Sequence, residues 1–246
     1  MLLAEGRVIL AIANRKGGVG KTTIAVAVAT KLASTTPTLL IDLDSQANAT
    51  ESLGIQLKPH VAKWLMFNET PELDRYGKLD VLAGNADTRK VDLALASEGR
   101  IYGIAELLRP ITQYEWIVLD CPPSITMVTQ AALYAADLVL CPTILEYLSL
   151  AGVRQMMGII KQLQDAGRPI KMLGIQPNMY RSTNEHKAQL MRLVKVFGAW
   201  PKGAVWPVLR QTIRIAEASE AGKPVWGELD GDRLLEWENL VERVRQ

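Results

Sequence analysis

Asn14-Arg15-Lys16-Gly17-Gly18-Val19-Gly20-Lys21-Thr22-Thr23 decides the fold of this 246-residue chain. An apolar run over 7–13 enters it as a strand, and a run over 24–32 rich in alanine and valine leaves it as a helix. A strand, a Gly-rich turn and a helix start, in that order, present backbone N–H groups to phosphate oxygens. The glycines let the backbone curl round the anion, and the helix N-terminus adds partial positive charge. Lys21 has the reach to meet the terminal phosphates, and the Thr22 hydroxyl stands where Mg2+ takes an oxygen ligand.

The ordinary phosphate-loop pattern has a glycine at the place held here by Arg15, and it has no counterpart to the extra lysine, Lys16. The plainer reading is a Gly-rich turn carrying solvated lysines. Gly17, Gly18 and Gly20 followed by Lys21-Thr22, between a strand and a helix, outweigh it. The stretch is read as a nucleotide site.

Beyond the loop, Thr35-Thr36-Pro37 breaks the first helix, and 38–44 follows as an aliphatic strand closed by Asp42 and Asp44. Residues 79–84 read as a third strand, and 115–120 as a fourth that ends at Asp120 before Cys121-Pro122-Pro123. The prolines forbid continuation. Further strands are expected at 138–141 and 170–176, with a short last one at 205–208. Helices are expected between them. Val153, Met156, Met157, Ile160 and Leu163 lie on one helical face, and Leu190, Leu193, Val194 and Phe197 form another apolar stripe. Alternation of buried strands with helices predicts an α/β fold: a single-domain (1–246), doubly wound, mostly parallel sheet with helices on both faces, a P-loop NTPase fold.

The composition, 48% hydrophobic and 22% charged, is that of a globular domain, and no apolar run approaches the ~18 residues of a membrane span. The start of the chain does not read as a signal peptide, so the expected location is cytoplasmic. Cys121 and Cys141 each close an apolar run, as buried strand cysteines do. The net charge of +2 hides an asymmetry. From Arg168 to Arg214 nine basic residues face one acid, Glu185, whereas the tail from Ile215 holds four basic and eight acidic residues. That points to a localised anionic partner.

In a doubly wound sheet, ligands bind beyond the C-terminal strand ends. The 14–23 loop, Asp42, Asp44, Asp120 and Asn178 all fall there. A carboxylate ending an apolar strand opposite a phosphate loop can hold Mg2+ through its water shell, and Asp120 fits that place. Each aspartate alone could equally be a cap or turn residue; their joint placement favours function.

Residues 16–23, together with 40–50 (Leu-Ile-Asp-Leu-Asp-Ser-Gln-Ala-Asn-Ala-Thr), resemble the ParA family of DNA-partitioning ATPases. Residues 118–124 resemble that family's second nucleotide motif, and 136–139 through 151–152 and 215–218 through 222–224 are similar to further family blocks. The lysine-bearing loop is shared with a wider group that includes MinD and the nitrogenase iron protein; Asp44-Ser45-Gln46-Ala47-Asn48 narrows it to the partition branch. The resemblance implies an Mg-dependent ATPase that binds ATP through Gly17, Gly18, Val19, Gly20, Lys21, Thr22 and Thr23. It implies that Lys16 crosses to a partner subunit's nucleotide in an ATP-dependent homodimer, supplying positive charge as an arginine finger does elsewhere. It implies Asp44 as the residue that positions or activates water, Thr22 and Asp120 as the metal region with Asp42 oriented towards it, and Asn178 with the segment around Pro207 as the adenine pocket. Many members have Pro-Arg-Asn where Arg210-Gln211-Thr212 stands here.

The resemblance also implies non-specific DNA binding by the dimer and partition of plasmids or chromosomes with a ParB-like partner, hence nucleoid association. Arg181, Lys187, Arg192, Lys195, Lys202 and Arg214 are the candidate DNA contacts, against the plainer reading of a solvated helix face. A MinD-like membrane switch is the alternative. It needs a basic amphipathic C-terminal helix with an aromatic anchor, which residues 238–246 lack, so no membrane contact is expected. Two turn-and-strand cysteines argue against a bridging iron–sulfur cluster, and Pro177-Asn178-Met179-Tyr180 lacks a guanine-reading pattern.

Overall fold

In a computed structural model that describes residues 6–147, 149–198 and 204–246, β1 (Val8–Ile12) lies inside a seven-stranded sheet. Its neighbours are β5 (Trp116–Asp120) and β6 (Leu138–Ile144), both parallel to it. Outward from β5 come β2 (Thr38–Asp42), β4 (Leu79–Leu82) and the edge strand β3 (Asp74–Tyr76); outward from β6 comes β7 (Lys171–Asn178). Every pairing is parallel except β3 with β4. Strand order runs away from β1 in both directions, so the crevice at its C-terminal end is a topological switch point, and the 14–23 loop starts there.

Side chains alternate along each strand, and the two cores follow from that period of two. Ile9, Ala11, Leu39, Ile41, Ile117, Leu119 and Val139 face one layer of helices. That layer comprises α3 (His60–Phe67), α4 (Thr88–Glu98), α5 (Gly103–Leu108), α6 (Met127–Ala135), α7 (Ser149–Asp165) and α8 (Asn184–Phe197). Leu10, Ile12, Leu40, Val81, Val118 and Leu140 face the other, which holds α1 (Lys21–Ala33), α2 (Asn48–Glu51) and α10 (Gly231–Arg245). A short helix, α9 (Arg214–Glu220), and a 3-10 turn at Val225–Gly227 complete the described elements. From Ile24 to Ala29 every residue of α1 is buried, because small side chains let the sheet and α10 close on it from two sides.

Two local expectations change, and one unexpected strand appears. Residues 205–208 do not form a strand: Ile175 donates to the Ala204 carbonyl at 2.6 Å and accepts from Trp206 N at 2.9 Å, and the ladder then slips to Leu209 N on the Pro177 carbonyl. Pro177 has no N–H with which to continue it. The strand β3 is not legible in its three residues; its signal is the two-residue link Gly77-Lys78, with Gly77 at φ +58°, which returns Tyr76 onto Leu79. On α8, Leu193 and Phe197 are buried as expected, but Val194 is 48% exposed.

Candidate nucleotide site

Gly18 and Gly20 adopt φ of +70° and +89°, which L side chains rarely take, and the loop closes into a cradle. The cavity above it measures about 380 Å³ and is walled by Gly17, Gly18, Gly20, Lys21, Thr22 and Thr23 on one side and by Asp44, Gln46 and Asn48 on another. Pro123 and the segment Lys223-Pro224-Val225 close it. The start of α1 has no side-chain cap, so its first N–H groups remain for a ligand.

The two lysines of the loop end in different places. Lys21 is 6% exposed, and its Nζ donates to the Lys16 carbonyl at 3.2 Å, inside the turn. Burial lowers its pKa, against the raising charges of Asp120 and Asp44. Lys16 leaves the cradle, and its Nζ lies 2.5 Å from Glu146 Oε2 at the end of β6. The backbone that separates them is tied down by Asn14, whose Oδ1 accepts Lys16 N at 3.1 Å and whose Nδ2 donates to the Pro142 carbonyl at 2.6 Å.

Register places Asp42 and Asp120 side by side on adjacent strands. They are equally buried but differently occupied. Asp42 Oδ2 accepts Thr50 N at 2.9 Å and Thr50 Oγ1 at 2.7 Å, and its Oδ1 accepts Asp44 N at 3.3 Å. Its first task is to anchor α2 and the Asp44 turn. Neither Asp120 oxygen has a partner in full hydrogen-bond geometry among the described residues, and the Thr22 hydroxyl is the group nearest to offering one. Burial pushes Asp42 up to about 6 despite the Thr50 bonds, and burial followed by the charge of Asp42 pushes Asp120 well above the usual carboxylate range. The unmet oxygens of buried Asp120, beside the Thr22 hydroxyl, are hard oxygen donors that fit a divalent cation, while both Asp42 oxygens are already taken by hydrogen bonds. Asp44 is 7% exposed on the cavity wall, its Oδ1 accepting Gln46 N at 2.9 Å.

The other expected residues are placed less uniformly. Asn178 sits under the loop, on the wall of an adjoining cavity of about 310 Å³ with Met179, Gln211 and Thr212. Pro207 lies on neither wall; it is exposed, and its carbonyl accepts Gln176 Nε2 at 2.7 Å. Lys187, Arg192 and Lys195 project from α8, exposed and without an ion pair among the described residues. Arg181 is exposed beside them, its Nε on Gln211 Oε1. Arg214 instead pairs with Asp230 at 2.9 Å, and Arg210 with Asp232 and Glu236. The acidic tail therefore neutralises part of the basic excess. Lys202 lies outside the described residues.

Glu146 also belongs to the site, and no local sequence signal marks it; Asn14 and Thr50 lie inside stretches already singled out, but their bonds to Pro142 and Asp42 are not expected from sequence. Cys121 and Cys141 are buried free thiols, and burial raises both, Cys141 to about 12, which leaves them as inert packing groups.

A family model described as an AAA domain matches residues 7–172. The chromosome partitioning protein ParA of Caulobacter vibrioides is 35% identical over 232 residues, 88% of this chain and 85% of that protein. The chromosome-partitioning ATPase Soj of Thermus thermophilus is 34% identical over 92% of this chain and 89% of its own. The chain belongs to the ParA family of partitioning ATPases. An ATP complex of McdA from Cyanothece shares the fold, with a TM-score of 0.89 at 20% identity over 98% of each chain. ParA-family membership makes the chain a nucleotide-binding P-loop ATPase, as the sequence resemblance implied.

Proposed function

We propose that this chain is an ATP-switched, Mg-dependent partition ATPase that dimerises on ATP, binds DNA without sequence preference and is driven by a ParB-like partner on a plasmid or chromosome. The supporting observation is the divergence of two lysines from one loop: Lys21 turned inward on the cradle, Lys16 turned outward to the rim. This divergence supports a reading in which one cation serves its own nucleotide and the other a nucleotide presented from outside.

ATP phosphates would lie against the N–H groups of residues 17–22, with Lys21 neutralising the β- and γ-oxygens. Bound Mg2+ would supply charge neutralisation between those oxygens, held by Thr22 and by Asp120, with Asp42 fixing the carboxylate edge. Asp44 would orient the attacking water and take its proton. Lys16 of each protomer would meet the γ-phosphate of the other, adding positive charge where it develops in transfer. The base would extend past Thr23 towards Met179 and Thr212.

Arg181, Lys187, Arg192 and Lys195 form the proposed DNA surface, and Arg214 and Lys202 are further candidates, Lys202 on sequence alone. The membrane alternative is not favoured: Trp237, Leu240, Val241 and Val244 turn the apolar stripe of α10 into the core. No described helix is long and apolar enough to cross a membrane. A cytoplasmic, nucleoid-associated protein is the corresponding location. Sedimentation with non-specific DNA separates these readings. Co-sedimentation with ATP and none with ADP is expected, and equal behaviour with both would overturn the switch.

A further inference from the structure

Asn178 closes β7 with its carboxamide committed to the phosphate loop. Its Nδ2 donates to the Val19 carbonyl at 3.0 Å, and its Oδ1 accepts Met179 N at 2.9 Å. Asn178 is 5% exposed and Val19 fully buried, so this bond is sheltered from water. Gly20, the next residue of the loop, shows how close the approach is. A β-carbon there would stand 2.1 Å from Asn178 Nδ2. The carboxamide therefore occupies the space that any side chain at position 20 would need.

A trans peptide points its carbonyl and its N–H in opposite directions. Holding the Val19 carbonyl against Asn178 therefore turns the Gly20 N–H away from Asn178, and Gly20 lines the phosphate cavity. We infer that Asn178 is a positioning residue for phosphate binding: it fixes the Val19–Gly20 peptide so that the Gly20 N–H is presented to the anion. This is separate from an adenine-reading role, which would use the second Nδ2 N–H left over by the Val19 carbonyl. It also ties the cradle to the dimer-facing rim, because Asn178 is paired in register with Ile144, two residues before the Lys16 partner Glu146. The inference rests on the phosphate-site reading of residues 14–23.

The test measures binding of Mg-bound inorganic triphosphate, ATP and GTP to the wild type and to Asn178→Ala, Asn178→Asp and Lys21→Ala. Asn178→Asp keeps the shape and the Met179 interaction but swaps the donor for an acceptor and adds a negative charge, whereas Asn178→Ala removes the donor with no change of charge, so only a loss shared by both variants counts. Both Asn178 variants are expected to weaken inorganic triphosphate by about tenfold or more, the cost of an unmet buried carbonyl, and to weaken ATP and GTP by the same factor. A merely structural role would lower the melting temperature of Asn178→Asp and leave the triphosphate affinity of the folded protein unchanged, which would overturn the inference. So would a fall in ATP affinity with triphosphate unaffected, the mark of base reading. Triphosphate bound by the wild type and lost in Lys21→Ala, yet kept in both Asn178 variants, would refute the clamp while leaving the phosphate site standing. No triphosphate binding by the wild type would refute both. Gly20→Ala supplies a second check. Its loss of affinity is expected to be smaller in the Asn178→Ala background than in the wild type, and equal losses would contradict the close approach of the two residues.

Discussion

The Nζ of Lys16 and the carboxylate of Glu146 meet at 2.5 Å on the rim of the cradle, across 130 positions of sequence. The two side chains are 30% and 58% exposed. Such a pair contributes only ~0.2–1 kcal/mol to stability, because water competes for both charges. A cation held this weakly can be drawn off by a triphosphate carrying several negative charges. Glu146→Gln should therefore leave the melting temperature nearly unchanged while strengthening ATP-dependent self-association. Dimerisation measured by sedimentation equilibrium checks it, and a destabilised monomer would show that the pair is structural instead.

Asp44 stands on the cavity wall, with a lone pair on Oδ1 used by Gln46 and the rest of the carboxylate available. Asp44→Ala should bind ATP and dimerise but lose at least a hundredfold in turnover, roughly the usual contribution of a positioned general base. Single-turnover hydrolysis reads this directly; near-normal turnover would remove Asp44 from the chemistry.

Asp120 and Asp42 place two buried carboxylates next to each other, at a cost to the ligand-free fold. Both are raised in the folded state, so their favourable contribution is full below about pH 4 and is lost as the pH rises through about 6 for Asp42 and higher for Asp120. Asp120→Asn removes one charge and keeps the shape. It should stabilise the nucleotide-free protein by about 1–2 kcal/mol at pH 8 and by much less at pH 5, while losing Mg-dependent ATP hydrolysis. Thermal unfolding across that range is the measurement, and a stabilisation independent of pH would contradict the assignment.

Four exposed cations, Arg181, Lys187, Arg192 and Lys195, carry the proposed DNA binding. Replacing them with alanine should weaken DNA binding and flatten its salt dependence by about 0.9 for each phosphate no longer neutralised, without affecting dimerisation. Replacing Arg214 alone should do less, because Asp230 already holds its guanidinium. Salt titrations on duplex DNA distinguish the two outcomes. An unchanged slope in the fourfold variant would return α8 to an ordinary solvated face.

How far these features can be read from sequence depends on whether their cause is local. The cradle is legible because glycines, lysine and flanking apolar runs sit together within 7–32, and Asp120 because an apolar strand stops abruptly at two prolines. The roles of Glu146, Asn14 and Thr50 are not, since each acquires its role from a partner brought close by the sheet: Glu146 from Lys16, Asn14 from Pro142, Thr50 from Asp42 and from the Gly84 N–H at 3.0 Å. The excess of cations over 168–214 is plain in the sequence, but its destination is not. Arg210 and Arg214 spend their charge on the acidic tail, which lies further along the chain and is adjacent in the fold.

Whether Lys16 acts on the other protomer's nucleotide is decided by mixing two inactive variants. Lys16→Ala and Asp44→Ala should each fail to hydrolyse ATP when alone. In a mixed dimer, the Lys16→Ala protomer keeps its own Asp44 and receives Lys16 from its partner, so one site per dimer is complete. The mixture is predicted to recover hydrolysis in proportion to the mixed dimers formed. A mixture that stays inactive, or a Lys16→Ala protein that hydrolyses ATP unaided, would contradict it.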